Sequence, residues 1–464
     1  MVRILHEAGV PEDVLIHLPG HGSIVGQALV ESEKIAGIVF TGSKAVGLKI
    51  ARTAGQRMVK NELFGFEAPA KVITEMGGKN AIIVTSNAEL DEAVAGIFYS
   101  AFGHAGQKCS ACSRVIVYEG VKEKLAERLK EACLNVRVGL STDHATYINP
   151  VIAEKEKSRL QKEAQEAATE AKNHGGKVWC DRSQENLPDF CVGPVLIELP
   201  LRQAMQSTSF AQKELFGPIL HIIPYQTLDQ AITLFNSVEY GLTGGVFSQS
   251  QDEIEFLSQV LEAGNIYVNR GCTGARVSIE PFGGFKMSGT GPKAGGKDYL
   301  DAFHFTLPSA PIPSFEEKLE KSWNTKTPGQ MNFNDYHLRK QKGIYIAAGE
   351  EPAAPMSIYL ETAQNLGIHV GVFYNQGEGA AQEILKEALR DEHLGFVIVE
   401  GDKNHIAEFL KMFYGIHKRE KEMCAILTPF DLPATGADLF KPFVHTRSFA
   451  VNTMRYGAPL EIEL

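Results

Sequence analysis

The chain runs to 464 residues, room for two to four domains at roughly 150 residues each. Its composition is 44% hydrophobic and 22% charged, which excludes a disordered or fibrous chain. With 46 basic against 56 acidic residues the net charge is −10, which disfavours broad binding to a nucleic-acid backbone. No apolar run approaches the ~20 residues of a membrane helix, so no membrane span is expected. Arg3, Glu7 and Pro11 interrupt the start before a signal-peptide core forms. Seven cysteines is an odd and sparse number, which points to a reducing, cytoplasmic setting rather than a disulfide scaffold.

Residues 2–8 have a helix pattern that ends at Gly9, and no strand precedes it. A parallel sheet that starts inside a unit lacks a partner, so the sequence reads as N-terminally incomplete. A short strand is expected over 14–18, before Pro19-Gly20, then a helix over 24–33 and a strand over 36–40. A helix over 46–52 and strands over 71–75 and 81–84 follow. This alternation predicts βαβ units and a mostly parallel sheet covered on both faces. Further on come a helix over 92–102, a strand over 114–118 and a helix over 121–132. Residues 154–173 read as a long charged helix with a solvated face and i,i+4 pairs. Strands return at 195–198 and 219–223. The polar, proline-bearing stretch 308–342 has no period and reads as a linker. Beyond it, strands at 343–348, 368–374, 395–400 and 423–427 alternate with helix patterns, giving a second, smaller α/β domain.

Five motifs could carry chemistry. Cys109, in Gly106-Gln-Lys-Cys-Ser-Ala-Cys-Ser-Arg114, sits between a glycine-bearing loop and a buried strand. A thiolate there would be stabilised by backbone N–H groups and by Lys108 or Arg114. Cys109-x-x-Cys112 could also be half of a zinc site or a redox pair. No second ligand pair follows, however, and the helix start of a thioredoxin-type motif is absent. Glu75 precedes Gly77-Gly78 at a strand end, where partial burial would raise a carboxyl toward the range of a general base; a surface turn is the plainer alternative. Thr41-Gly42-Ser43 follows a strand and opens a helix, an anion site for a pyrophosphate, although Ser43 serves equally as an N-cap. Glu214 and Phe216 precede a Gly-Pro turn, where a carboxylate can grip ribose hydroxyls and a ring can pack on a flat ring. The glycine-rich run from Asn269 through Gly274 and Ala275 to Ser288-Gly-Thr-Gly291 means tight backbone with N–H groups free for a carboxylate. His104 reads as a packed or capping histidine and Cys424 as inert core.

Together, in this order, these motifs resemble the aldehyde dehydrogenase superfamily. The strings Glu75-Met-Gly-Gly-Lys-Asn80, Gly106–Arg114 and Pro281-Phe-Gly-Gly284 are similar to those of its 1-pyrroline-5-carboxylate (L-glutamate γ-semialdehyde) dehydrogenase branch, including the second active site of proline utilisation A. The resemblance covers residues 1–307. It implies an α/β, aldehyde dehydrogenase-like fold with a partial Rossmann-type cofactor domain over 1–77 and a catalytic domain over 78–287. A return and oligomerisation segment over 288–307 would follow, then the linker over 308–342 and a non-catalytic α/β domain over 343–464. The family's first cofactor-domain strands and its oxyanion asparagine would lie upstream of Met1.

By the same resemblance Cys109 is the nucleophile and Glu75 the general base in NAD-dependent oxidation of glutamate semialdehyde to glutamate. Thr41, Gly42 and Ser43 contact the NAD pyrophosphate, and Glu214 and Phe216 the ribose and nicotinamide. Ser110, Gly274 and Ala275 anchor the substrate carboxylate. Homo-oligomers and a proline dehydrogenase domain or partner upstream are further implications. The alternatives are a catalytically impaired fragment or scaffold, or a dehydrogenase for another aldehyde.

Overall fold

Runs of β-branched and apolar residues such as Asn-Ala-Ile-Ile-Val at 80–84 bury both faces of a strand, and such strands build the core. The computed structural model describes residues 1–61, 66–303, 322–327, 330–338, 342–347, 356–374, 380–391, 394–416, 424–428, 431, 441–452, 454–455 and 458–459. In chain order the first strands are β1 (Gly37–Thr41), β2 (Met58–Asn61), β3 (Phe66–Pro69), β4 (Lys71–Glu75), β5 (Asn80–Val84) and β6 (Cys112–Tyr118). Then come β7 (Lys177–Asp181), β8 (Val195–Glu198), β9 (Ile219–Tyr225), β10 (Tyr240–Gly241), β11 (Thr243–Phe247), β12 (Asn265–Val268) and β13 (Phe285–Lys286). The last are β14 (Ser322–Thr327), β15 (Gln330–Leu338), β16 (Lys342–Ala347), β17 (His369–Tyr374), β18 (Phe396–Val399), β19 (Ala425–Leu427), β20 (Val444–Asn452), β21 (Met454–Arg455) and β22 (Ala458–Pro459).

The main sheet orders its ten described strands β14-β15-β20-β12-β11-β5-β6-β9-β8-β7. Its centre, from β20 to β8, is parallel, while β7 and the β14–β15 hairpin are antiparallel additions at its two edges. Ile82, Ile83, Val115, Ile116, Leu220 and Val246 are fully buried in it. The helix Glu154–Asn173 matches its expected span, but its inner face is buried through Leu160, Ala164, Ala167, Ala168 and Ala171. The solvated-face reading therefore holds for one side only, because an alanine stripe reads as polar composition while packing as an apolar face.

The N-terminal region keeps the expected helix at Val2–Glu7, ended by Gly9 at φ +101°, where only glycine is unstrained. The strand expected at 14–18 does not form; Val14 and Ile16 are exposed and no strand pairs with them. A π-turn at Gly22–Gly26 and a short helix at Gln27–Glu31 stand where one helix was expected. β1 pairs in parallel with β4, and the unforeseen β2–β3 hairpin lies between them in sequence.

The stretch expected as a linker over 308–342 differs most. Its described residues form β14 and β15, which pair with each other and with β20 in the main sheet. Inward-facing polar residues, Asn332 and Asn334 among them, hide the strand pattern. The expected 343–464 unit holds the parallel sheet β17-β16-β18-β19, yet β20 leaves it and pairs with β12 instead. The helix Lys403–Ile416 packs Phe409 and Phe413 in one apolar cluster with Ala68 of β3. Residues 304–307 of the expected oligomerisation segment lie outside the described residues. Among the described residues no helix is long and apolar enough to cross a membrane.

Ile83 has no exposed surface and sits in the central strand. Ile83→Ala is expected to cost about 2–5 kcal/mol by leaving a cavity, read as a lower midpoint in denaturant unfolding.

Candidate active site

Glu75 closes β4, with its backbone clamped on both sides. Thr41 of β1 pairs with it on one side and Gly289 bridges it on the other. Met76 N–H donates to the Ser288 carbonyl at 2.8 Å and Thr290 N–H to the Thr74 carbonyl at 3.0 Å. A Cβ on Gly289 would stand 3.1 Å from Glu75 Oε2, so the glycine lets backbone lie against the carboxyl. Glu75 Oε1 is buried with no hydrogen-bond partner among the described residues. Burial pushes this carboxyl up to about 8, against the opposing pull of Lys293.

Cys109 lies in the loop between the helix Leu90–Phe102 and β6. His104, Ala105 and Gly106 turn the chain there with φ of 60°, 53° and 68°, and His104 is exposed rather than packed. A bulge between Asn80 and Ala81 frees the Asn80 side chain to fix this loop. Its Nδ2 donates to the carbonyls of Cys109 at 2.7 Å and Ala111 at 2.9 Å, and its Oδ1 accepts Thr243 N–H at 3.0 Å. Burial, then the Glu214 and Glu75 carboxylates, push the Cys109 thiol up to about 11, while the N–H groups of Ser110 and Cys109 work the other way. The thiolate stabilisation expected here is thus outweighed by burial and the two acids. Arg114 does not supply the cation, because its buried guanidinium donates to the Lys79, Leu234 and Phe235 carbonyls.

Glu214 reaches Gly77 and Gly78 from a loop. Its Oε1 accepts Gly78 N–H at 2.9 Å, and burial raises its pKa against Gly78 N–H and Lys79. Phe216 follows at φ +51° and is 43% exposed, so its ring is open to a ligand. The structure thus gathers Glu75, Cys109 and Glu214 around Gly77-Gly78. Thr41, Gly42 and Ser43 are exposed at the end of β1. Ser43 is the N-cap of the helix Lys44–Ala54 but makes no side-chain cap bond, which leaves first-turn N–H groups facing outward. Ser110 is buried, and its carbonyl accepts Cys272 Sγ at 3.5 Å, which brings the loop carrying Gly274 and Ala275 against it. Gly274 is exposed at φ +88°.

Sequence reasoning passed over Asn80, Lys79 and Cys272. A polar residue opening an otherwise apolar strand was the signal for Asn80, since a buried carboxamide must be hydrogen-bonded. Lys79 is 1% exposed with no partner for its ammonium among the described residues, and burial first, then Arg114, bring it down to about 7. The glycine-rich run, expected to offer free N–H groups, instead spends those of Thr290 and Met287 on backbone carbonyls.

A covered parallel sheet, a βα unit beside it and a thiol loop at the exit of β4 make this an α/β protein. The chain belongs to the aldehyde dehydrogenase family, whose model matches residues 1–306. It is 37% identical over 304 residues to the 1-pyrroline-5-carboxylate dehydrogenase of Bacillus subtilis, covering 64% of this chain and 55% of that protein. The chain therefore spans about half the length of the curated relatives it matches. A 1-pyrroline-5-carboxylate dehydrogenase from Thermus with bound NAD aligns over 65% of this chain and 56% of its own, at 36% identity and a TM-score of 0.59. Proline utilization A from Corynebacterium freiburgense aligns over 98% of this chain and 46% of its own, with a TM-score of 0.74. At 23% identity that match speaks for the fold alone.

The folded state holds the Glu75 proton more tightly than the unfolded chain. Its contribution to stability is therefore complete below about 4.5 and lost as pH rises toward 8. In denaturant unfolding, wild type is expected to lose stability relative to Glu75→Gln across that window; a constant difference would refute the raised value.

Proposed function

We propose that the chain carries the site of an NAD-dependent dehydrogenase that oxidises L-glutamate γ-semialdehyde to L-glutamate. The observation that carries this reading is the convergence of the Glu75 strand end, the Glu214 carboxylate and the Cys109 loop on Gly77-Gly78, in a chain whose matched relatives are 1-pyrroline-5-carboxylate dehydrogenases.

The residues fit a dinucleotide. The uncapped helix start after Thr41-Gly42-Ser43 suits a pyrophosphate, and Glu214 with the exposed Phe216 suits a ribose and a flat ring beside the thiol. NAD, when bound, supplies the hydride acceptor. Cys109 rests protonated, so as Sγ bonds to the aldehyde carbon and the C=O π bond opens, the thiol proton passes to the aldehyde oxygen. The N–H groups of Ser110 and Cys109, which face Sγ, favour the departing proton's anion. Loss of the hydride from that carbon and of the proton from its oxygen re-forms C=O and leaves an acyl group on Cys109 as a thioester. Glu75 then takes a proton from the water that attacks the thioester carbon, and the Cys109–carbon bond breaks to give the acid. A carboxyl near 8 is a strong base once ionised, so this step quickens as pH rises toward 8. Ser110, Gly274 and Ala275 would hold the substrate's other carboxylate. Homo-oligomers and an upstream proline dehydrogenase partner belong to this same reading, as does a division of labour between residues 1–307 and the unit over 343–464.

Cys109→Ala is expected to abolish NADH formation from glutamate semialdehyde, while Glu75→Gln lowers turnover by roughly 10²–10⁴. Ser110→Ala should erode the preference for glutamate semialdehyde over aliphatic aldehydes. Full activity in Cys109→Ala would overturn the reading. A second reading, a scaffold without catalysis, draws on the exposure of Val39 in β1 and Val46 in the following helix, at 49% and 45%, beside the proposed pyrophosphate site. Calorimetric titration separates the two: NAD binding supports the dehydrogenase, and a folded chain that takes up none supports the scaffold.

A further inference from the structure

Lys293 follows the glycine-rich run and is buried, with 6% of its surface exposed. Its Nζ donates to three oxygens: the Gly264 carbonyl, Asn265 Oδ1 at 2.9 Å and Ser448 Oγ at 3.1 Å. Ser448 Oγ spends its own hydrogen on the Pro281 carbonyl at 3.1 Å, so toward Lys293 it can only accept. Three donated bonds require three N–H groups, and the geometry therefore holds an ammonium rather than an amine. All three acceptors are uncharged. Burying a charge against neutral groups is costly, and an apolar side chain of similar length would fill the space more cheaply.

The cage lies at the root of a loop whose tip touches Glu75. Residues 281–294 leave and return at one point, where Phe282 and Ala294 exchange backbone hydrogen bonds of 2.9 and 2.8 Å. Asn265 Nδ2 ties that root to β12 by donating to the Pro281 carbonyl at 3.0 Å, and Ser448 ties it to β20. A Cβ on Gly283 would stand 3.2 Å from Lys293 Cα and Cγ, so the outgoing leg rests directly on the lysine. At its far end the loop grips the exit of β4. Gly289 bridges Glu75, the Met76 and Thr290 N–H groups close the clamp described above, and Thr74 N–H donates to Thr290 Oγ1 at 2.8 Å.

We propose that Lys293 is a positioning residue for the Glu75 carboxyl: its ammonium fixes the root of the 281–294 loop to β12 and β20, and so holds the Gly289 clamp against the strand end that carries the acid. The loop acts as a lever with one end bolted to the sheet and the other laid against Glu75. Burial draws the Lys293 pKa well below the usual lysine range; Glu75, then Asp335, oppose this and Arg447 adds to it, while three oxygens bonded to the charged form favour that form. Lys293 and Glu75 therefore sense each other's charge as well as sharing a loop. The role of Lys293 in turnover rests on Glu75 being the base proposed above; its role in holding the clamp does not.

Hydrogen exchange read by mass spectrometry on the full chain follows the clamp itself. In Lys293→Met, peptides covering 74–76 and 288–290 are expected to exchange roughly tenfold faster while β5 keeps its protection. Ser448→Ala keeps the ammonium but removes one of its acceptors and one tie to Pro281. It is expected to loosen the same peptides by a smaller factor, and it carries the test if Lys293→Met does not fold. Ser448→Ala also leaves in place Lys293, Cys109 and Tyr299, the titratable groups that face Glu75. Its Glu75 carboxyl, followed by the infrared band of the protonated acid that Glu75→Gln lacks, should titrate below the wild-type value of about 8, because a looser clamp lets water reach the acid. Unchanged exchange at the clamp, protection lost evenly over the whole chain, or a carboxyl that titrates as in wild type would each overturn the proposal. No step uses NAD or an aldehyde, so a chain that proves to be a scaffold without catalysis still tests it.

Discussion

The site depends on two adjacent residues that have no side chain. A Cβ on Gly77 would fall 2.1 Å from Glu214 Oε2, and one on Gly78 would fall 2.4 Å from the Cys109 carbonyl oxygen. The carboxylate loop and the thiol loop can therefore close on the exit of β4 only because backbone alone occupies that corner. The same backbone then supplies Gly78 N–H to Glu214 and the Gly77 carbonyl to Ser288 Oγ. Side-chain bulk at either position would push the three segments apart and take Glu75 out of reach of Cys109.

Bringing acids and a thiol together under cover is electrostatically unfavourable, and the structure shows where the strain is held. Glu75 Oε1 has no partner among the described residues, Cys109 is pushed away from ionisation, and Lys79 is buried without one for its ammonium. A chain selected for stability alone would have replaced such groups with apolar ones. Their presence around one cleft is the ordinary signature of a place where charge must move.

The parallel core was legible in the sequence because its strands are buried on both faces. β5, β6, β8 and β9 announce themselves as apolar runs, and the helix at 154–173 is set by its length and charge pattern. β11 was not legible, since Thr-Gly-Gly-Val-Phe carries glycines where Phe235 and Ile82 press against it. β15 was lost because Asn332 and Asn334 face inward, and burial of polar residues inverts the expected alternation. At the site, Cys109, Glu75 and Glu214 could be nominated from local motifs. Asn80 and Cys272 could not be assigned work, because what they do depends on residues far away in the chain.

The position of β20 has a consequence for how the molecule comes into being. β20 lies between β12 and β15, and its Ser448 meets the Lys293 ammonium at 3.1 Å and donates to the Pro281 carbonyl. During synthesis β12 leaves the ribosome long before residues 444–452 do. Until then its outer edge offers open N–H and carbonyl groups to any passing strand. The nascent chain must keep that seam vacant for the span of almost two hundred residues, so correct assembly is a matter of timing as well as of affinity.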